Sequence, residues 1–277
     1  MINLMRGELY KLFKSKCFYV CSIVLVSFVL LMYGMFSLVD MVDKEEAAMA
    51  GNVGITVSVE TNMPEELPIW EQMGVIDLVQ MMFSSMGSLL IAIFASVFVC
   101  SEYTCGAIKN IVGKGYGRGT VFLSKYFSSI VGAILIELLM LGTILMCELL
   151  ILHGNRLSGE FFAELVEYVA IQLILAAAQT GVIVMLNQFL RSLGAGIAVS
   201  VCLIMFYPIV TAVINALLQY LKVTINVNEY WVVDMISECP ATDITEKIWG
   251  HNVLWSMVWI VLTIAVGILH YRKADVK

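Results

Sequence analysis

Residues 75–100 read VIDLVQMMFSSMGSLLIAIFASVFVC, and this apolar run decides the fold. It carries a single charged residue, Asp77, close to its start. A helix needs about 20 apolar residues to cross the hydrocarbon core of a bilayer. Because lipid offers the backbone no hydrogen-bond partner, such a run crosses the membrane as a helix. The stretch therefore predicts a membrane-spanning α-helix.

The composition of the whole chain extends this prediction. Of its 277 residues 60% are hydrophobic and only 14% are charged, and the mean hydropathy is +0.91. A soluble domain of this length cannot bury so much apolar surface. We predict an all-α integral membrane protein in which residues 1–277 form one transmembrane domain. Its six spans lie at about 17–39, 75–100, 126–152, 168–190, 193–221 and 253–271, with only Arg191 and Ser192 between the fourth and the fifth.

The residues before the first span, MINLMRGELYKLFKSK (1–16), predict an amphipathic helix in the headgroup layer. The apolar positions at helical spacing are Ile2, Met5, Leu9, Leu12 and Phe13. The basic positions lie largely elsewhere, at Arg6, Lys11 and Lys14. A surface anchor that orients the first span is the favoured interpretation, and an elbow helix that couples to a partner is the alternative. The apolar run that follows is too long for a signal peptide and lacks a cleavage site, so we expect it to be retained.

Lysine and arginine predict the orientation, because they accumulate on the cytoplasmic side of a membrane. With the N-terminus inside, twelve of the sixteen basic residues are cytoplasmic. They are Arg6, Lys11, Lys14, Lys16, Lys109, Lys114, Arg118, Lys125, Arg191, Arg272, Lys273 and Lys277. Both termini and the loop 101–125 are then predicted to be cytoplasmic. The predicted outer loops are 40–74, 153–167 and 222–252.

The inner loop, SEYTCGAIKNIVGKGYGRGTVFLSK (101–125), has a glycine at every second position from Gly113 to Gly119. The spacing does not fit the phosphate-binding pattern G-x-x-x-x-G-K-[ST], so we expect no ATP site in this chain. Alternate glycines break a helix, at roughly 1 kcal/mol each relative to alanine. They leave a short segment, 104–112, with an apolar face. On the residues alone, a docking helix for a soluble partner and a connector that meets anionic lipid are equally supported.

A resemblance bears on that choice. The pattern Glu102-Tyr103-x-x-Gly106-x-Ile108-Lys109, Lys114-Gly115-x-x-Arg118, Leu123-Ser124-Lys125 resembles the first cytoplasmic loop of ABC-transporter permeases of the type-2 exporter (ABC-2) family. The opening ELYKLFKSK, residues 8–16, is similar to the elbow helix of such subunits. The layout of six spans with inner termini also fits. The family includes permeases for lantibiotic immunity, bacitracin resistance and peptide export.

The resemblance implies a function and partners. This chain would be the permease of an ATP-driven exporter in the bacterial cytoplasmic membrane, moving a peptide, antibiotic or lipid-like substrate. It would pair with a second copy or a related permease and with a cytoplasmic ABC ATPase that carries ATP and Mg²⁺, so this chain would have no cofactor and no catalytic residue. The implied docking residues are Glu102, Thr104, Gly106, Ile108, Lys109, Ile111 and Val112. The implied elbow residues are Arg6, Glu8, Lys11, Phe13 and Lys14, with Glu102 near the basic ones.

Four polar residues within the spans are candidates for a translocation path, since polar groups in a membrane usually face protein or water. Glu137 and Glu148 share one face of the third span, and Gln172 and Gln179 share one face of the fourth. For the glutamines, interhelical hydrogen bonds are the favoured interpretation. For Glu137 a functional and a structural role are equally supported. An ion-coupled transporter that uses Glu137 as a proton site is the alternative to an ATP-driven exporter.

Other classes of function have weaker signals. The chain has no H-E-x-x-H motif, and its three histidines lie at span ends, so we predict neither an enzyme nor a metal site. Seven cysteines, nearly all in the spans or on the inner side, predict no disulfide framework. No feature predicts a nucleic-acid partner. The acidic outer loops would attract a cationic peptide substrate, although a simple solvated exterior is the favoured interpretation. Short helices are expected in 222–252, lying on the outer leaflet.

Overall fold

The computed structural model describes residues 2–52, 75–104, 106, 113, 115–151, 159–223, 225–240 and 246–273. This part of the chain is 92% helical and contains no strand. Six of its helices are long and apolar enough to cross a membrane. The predicted all-α membrane fold is therefore confirmed, and the chain is a multi-pass membrane protein.

The helices follow one another with short breaks. A short N-terminal helix, α1, precedes the first span, and the second span consists of α3, a π-helical turn at Phe83–Gly87 and α4. The bounds are α1 Ile2–Lys14, α2 Lys16–Asn52, α3 Val75–Met82, α4 Ser88–Thr104, α5 Arg118–Ile151, α6 Gly159–Leu190, α7 Leu193–Tyr220, α8 Val232–Glu238 and α9 Glu246–Lys273. As expected, only Arg191 and Ser192 separate α6 from α7, and Arg191 adopts a left-handed φ of 51° at this tight turn.

Several helices run beyond the predicted spans. Helix α2 continues to Asn52, α5 begins at Arg118 instead of Tyr126, and α6 begins at Gly159 instead of Tyr168. Parts of the predicted outer loops 40–74 and 153–167 and of the inner loop 101–125 are therefore helical. The reason is that hydropathy marks only the apolar part of a helix. Helix formers such as Glu, Lys, Ala and Met, as in 44–49, extend it past the membrane surface.

Helices α4 and α6 form the centre of the bundle. Their spans are the most buried, whereas those of α2, α7 and α9 expose most of their surface. Helix α6 packs most extensively on α9, and α4 on α7, while α5 contacts α1, α2 and α6. The ends of α1, α4 and α6 and the start of α5 lie on one side of the bundle, here called the elbow side. Helix α8 lies on the opposite side.

A buried polar network joins α4, α6 and α7. The Asn187 amide donates to the hydroxyl of Ser96 at 2.9 Å and to that of Ser200 at 3.2 Å, and Ser96 donates to Ser200 at 2.8 Å. The Cys100 thiol lies 3.3 Å from Asn187 Oδ1. All four side chains are buried. Every donor of the Asn187 amide is satisfied, so the network fixes the three helices against one another.

Gly196 lets α7 approach this network closely. A Cβ at Gly196 would overlap Asn187 Oδ1 and would lie 2.8 Å from Cys100 Sγ. We therefore expect Gly196→Ala to destabilise the protein by about 1–3 kcal/mol through overpacking. Gly194 is a matched control two residues earlier in the same helix, because a Cβ there meets no atom within 4 Å. Thermal unfolding of both variants in detergent checks this. Equal melting temperatures for the two would contradict it.

Candidate functional site

Four charged side chains from three helices meet on the elbow side and are here called the charge cluster: Glu8, Lys11, Glu102 and Lys125. Glu102 Oε1 accepts a hydrogen bond from Lys11 Nζ at 3.0 Å, and Glu102 Oε2 lies 2.5 Å from Lys125 Nζ. Lys11 also donates to Glu8 Oε1, one turn earlier in α1, at 3.1 Å. One carboxylate at the end of α4 thus bridges α1 and α5.

Local backbone structure places Glu102 in the last turn of α4. The Thr104 hydroxyl donates to the Cys100 carbonyl at 3.0 Å, inside the helix. Gly106 then adopts a φ of +66°, and its N–H donates to the Tyr103 carbonyl at 3.3 Å. A glycine in the left-handed region is the usual way to end a helix, because it has no Cβ to strain. The polypeptide turns away there and leaves Glu102 facing α1 and α5.

The cluster lies mostly inside the protein. Glu8 is 1% exposed, and the side chains of Lys125, Glu102 and Lys11 are 2%, 13% and 47% exposed. Withdrawing a charge from water is costly unless an opposite charge with good geometry accompanies it. Two carboxylates and two ammonium groups supply that balance. In the ion pair between Lys125 and Glu102, each charge depends most strongly on the other.

The pKa values in α1 reflect the same surroundings. Burial raises the pKa of Glu8, and the nearby Glu102 carboxylate raises it further, while Lys125 and Lys11 act in the opposite direction. Burial by itself would lower the pKa of Lys11, but Glu102 and Glu8 outweigh it, and the Lys11 pKa is raised. Lys11 therefore stays charged below its ordinary pKa, where its ion pairs contribute fully, and that contribution is lost at higher pH.

Aromatic and amide groups extend the cluster to α6. Lys125 Nζ lies 5.5 Å from the centre of the Tyr103 ring, a cation–π distance. The Tyr103 hydroxyl is hydrogen bonded to the side-chain oxygen of Gln188 near the end of α6. Four helices, α1, α4, α5 and α6, are thereby linked through polar side chains at one end of the bundle.

The predicted docking residues fall into two groups. Glu102 belongs to the charge cluster, and Thr104 and Gly106 end α4 with Thr104 exposed. Ile108, Lys109, Ile111 and Val112 lie outside the described residues. Glu102 lies close to the elbow helix, as the resemblance implies, and Lys11 is the residue of that helix that it contacts.

One side of the elbow helix packs into the bundle. Leu12 is fully buried and Glu8 is buried beside it, whereas Phe13 is 52% exposed. Adjacent residues of a helix point about 100° apart, so Phe13 lies at the border of the face that carries Leu12. Arg6 is exposed, and Lys14 donates to the Tyr10 hydroxyl at 3.5 Å. The helix is therefore ion-paired to the bundle, which a simple surface anchor does not require.

Two members of the cluster have a role that the sequence did not indicate. Lys125 was expected in the inner loop and Glu8 in the elbow helix, with no prediction that either is buried, yet both are buried. A signal for Lys125 existed, since Val121 and Phe122 precede it at helical spacing from the span and are fully buried. An apolar turn before a lysine places that lysine below the membrane surface.

The four candidate path residues are all buried but do not form one seam. Glu148 accepts a hydrogen bond from the Tyr33 hydroxyl at 3.2 Å. Gln179 and Ser88 exchange two hydrogen bonds of 3.2 Å between α6 and α4. Gln172 donates to the carbonyl of Ile236 in α8 at 3.2 Å. Both glutamines thus bond between helices, as favoured above. A cavity of about 560 Å³ opens on the exposed face of α7, and none of the four lines it.

Helix α8 sits within the bundle on the opposite side, where it packs against α6. Val232, Val233, Asp234, Met235 and Ile236 are all buried. The amide of Gln80 donates to the carbonyls of Ser237 at 3.1 Å and Cys239 at 2.8 Å. Together with Gln172 it satisfies carbonyls that a helix end otherwise leaves unpaired. We refer to Gln80 and Gln172 as the amide clasp.

Comparison with protein-family models and with curated proteins finds no match for this chain.

The buried ion pair generates the first prediction at this site. Lys125→Met leaves the Glu102 carboxylate without its buried partner, and we expect a loss of about 3–5 kcal/mol of stability. Lys11→Met removes a half-exposed ammonium group and should cost less than Lys125→Met, even though Glu8 then loses its ion-pair partner. The double variant Glu102→Gln/Lys125→Met should recover part of the loss, since the charge at position 102 is then no longer left without its partner. Melting temperatures in detergent test this; equal losses for the two single variants would contradict it.

Asp234 generates a pH-dependent prediction. Burial, and next the Glu238 carboxylate, raise the pKa of Asp234 to about 6, with Thr211 acting against them. Because this pKa is raised, Asp234 favours the folded state fully below about pH 4, the ordinary aspartate range, and this contribution is lost as the pH rises through 6. Asp234→Asn should therefore raise the melting temperature at pH 8 relative to the native chain. The difference should vanish at pH 4; an equal difference at both pH values would exclude titration as its cause.

Proposed function

We propose that this chain is the membrane-spanning permease subunit of an ATP-driven exporter of the ABC-2 type, with ATP hydrolysed by a separate cytoplasmic subunit. The substrate class is a peptide, an antibiotic or a lipid-like molecule. The observation that carries the proposal is the charge cluster, because two of its members flank in sequence the segment 104–112, where the resemblance places the coupling helix. Glu102 precedes that segment and Lys125 follows it.

A permease of this kind has to transmit movement from a soluble motor into its spans. The cluster supplies a physical route, because the end of α4, the start of α5 and the elbow helix are joined by ion pairs of 2.5 and 3.0 Å. A force on the intervening segment then moves three helices together, since packed elements shift as units. A simple connector between two spans has no need to ion-pair a third helix.

The proposal also assigns sides and partners. The elbow side faces the cytoplasm, because it holds most of the lysines and arginines. The ATPase binds there and carries ATP with Mg²⁺, and a second copy or a related permease completes the membrane half. The acidic residues of the outer loops then face the exterior, where a cationic peptide is one candidate cargo.

The docking assignment predicts the effect of a charge change in the coupling segment. Ile108→Asp with Lys109→Glu should abolish stoichiometric co-purification of a P-loop ATPase from native membranes in mild detergent. Membrane insertion and thermal stability should be preserved. Val223→Asp with Lys222→Glu makes the same chemical change on the opposite side and should leave co-purification intact. ATPase retained by the coupling-segment variant would sink the docking assignment. No ATPase on the native chain, even after cross-linking, would favour the ion-coupled alternative.

A further inference from the structure

Glu137 is a buried carboxyl without a matching charge. It lies in the middle of α5 and is 3% exposed, and its Oε2 makes no hydrogen bond with any described residue. Among those residues no lysine, arginine or histidine acts on it electrostatically. Glu148 differs, because its Oε2 accepts a hydrogen bond from the Tyr33 hydroxyl at 3.2 Å. In the charge cluster, each buried carboxylate has a lysine ammonium group as its partner. Glu137 has no such partner among the described residues.

The groups around Glu137 connect it to α8. Three groups act electrostatically on the Tyr168 hydroxyl: the carboxyls of Glu137 and Asp77, and the Cys239 thiol just after α8. That hydroxyl accepts a hydrogen bond from Gln172 at 2.8 Å. Gln172 in turn donates to the Ile236 carbonyl of α8, while its own Oε1 is buried without a partner. A short polar chain therefore runs from the neighbourhood of Glu137 to the amide clasp.

The site lacks hydrogen-bond donors for two buried oxygen atoms, Glu137 Oε2 and Gln172 Oε1. Each is a buried hydrogen-bond acceptor for which the described residues supply no donor within hydrogen-bonding distance. A proton on the Glu137 carboxyl removes its charge and adds one donor. Neutralisation is the usual response of an isolated carboxylate at membrane depth. The geometry thus fits a proton as the ligand of this site.

We propose that Glu137 is a proton-binding site and that its protonation keeps α8 seated in the bundle. With the proton bound, the region around Tyr168 can stay dry under the amide clasp. With the proton lost, an ionised carboxylate favours any arrangement that admits water, and α8 is the element nearest to Tyr168 on the opposite side. A higher pH therefore favours release of α8. This inference does not rest on an ATPase partner.

Hydrogen–deuterium exchange of the full chain in nanodiscs tests the coupling. The Asp234→Asn background is used, because Asp234 titrates within α8 itself. At pH 8.5, amides of Val232–Glu238 should exchange about fivefold more slowly in Glu137→Gln than in the background chain, the change that one hydrogen bond of ordinary strength produces in an opening equilibrium. At pH 5.5 the two should exchange alike. Glu137→Met, also uncharged, should match Glu137→Gln.

Glu148→Gln is the matched control, a carboxyl-to-amide change in the same helix, and should leave exchange in α8 unaltered. An infrared pH titration gives the second readout, in which the carbonyl band of a protonated carboxylic acid should be lost on raising the pH and absent from Glu137→Gln. The proposal is wrong if the band persists in Glu137→Gln. It is equally wrong if the variant and background exchange at the same rate at pH 8.5.

Discussion

The pairing of Glu102 with Lys125 is the constraint on which the elbow side depends. Both groups are largely withdrawn from water, and the ion pair of 2.5 Å compensates the loss of hydration. This geometry requires α4 to end and α5 to run alongside it at a fixed depth. It also leaves the second oxygen of Glu102 for Lys11, which draws α1 against the bundle. The position of the elbow helix is therefore a consequence of a charge that had to be neutralised.

The two ends of the bundle are fastened by different chemistry. Charges fix the elbow side, whereas the amides of Gln80 and Gln172 fix α8 on the opposite side. Breaking a buried charge pair costs several kcal/mol, while a hydrogen bond between membrane helices contributes about 0.6 kcal/mol on average. The elbow side is accordingly the more rigid end, and the opposite side is the end where an element can leave its position in the bundle at small cost.

The sequence predicted the number of spans, since long apolar runs have few alternatives in a membrane. Helices α2, α5 and α6 continue beyond the predicted spans through polar residues, which hydropathy does not count. Glu102 was predicted as a site residue through a resemblance, but the burial of Lys125 and Glu8 was not. Periodicity gives the face on which a residue lies, and it does not give the helix that the face meets. Gln80 was missed for the same reason, as its partners lie at the end of α8, far along the chain.

The π-helical turn at Phe83–Gly87 has a consequence for how the second span joins both halves of the molecule. Such a turn holds one residue more than the α-helix it interrupts, which rotates everything before it by about 100° relative to everything after it. Ser88, just beyond the turn, meets Gln179, while Gln80, just before it, meets the backbone after α8. A straight α-helix would direct only one of these side chains correctly. The extra residue thus rotates α3 about the helix axis relative to α4. Shortening the turn by one residue would change the face that α3 presents to its neighbours and would leave α4 unaltered.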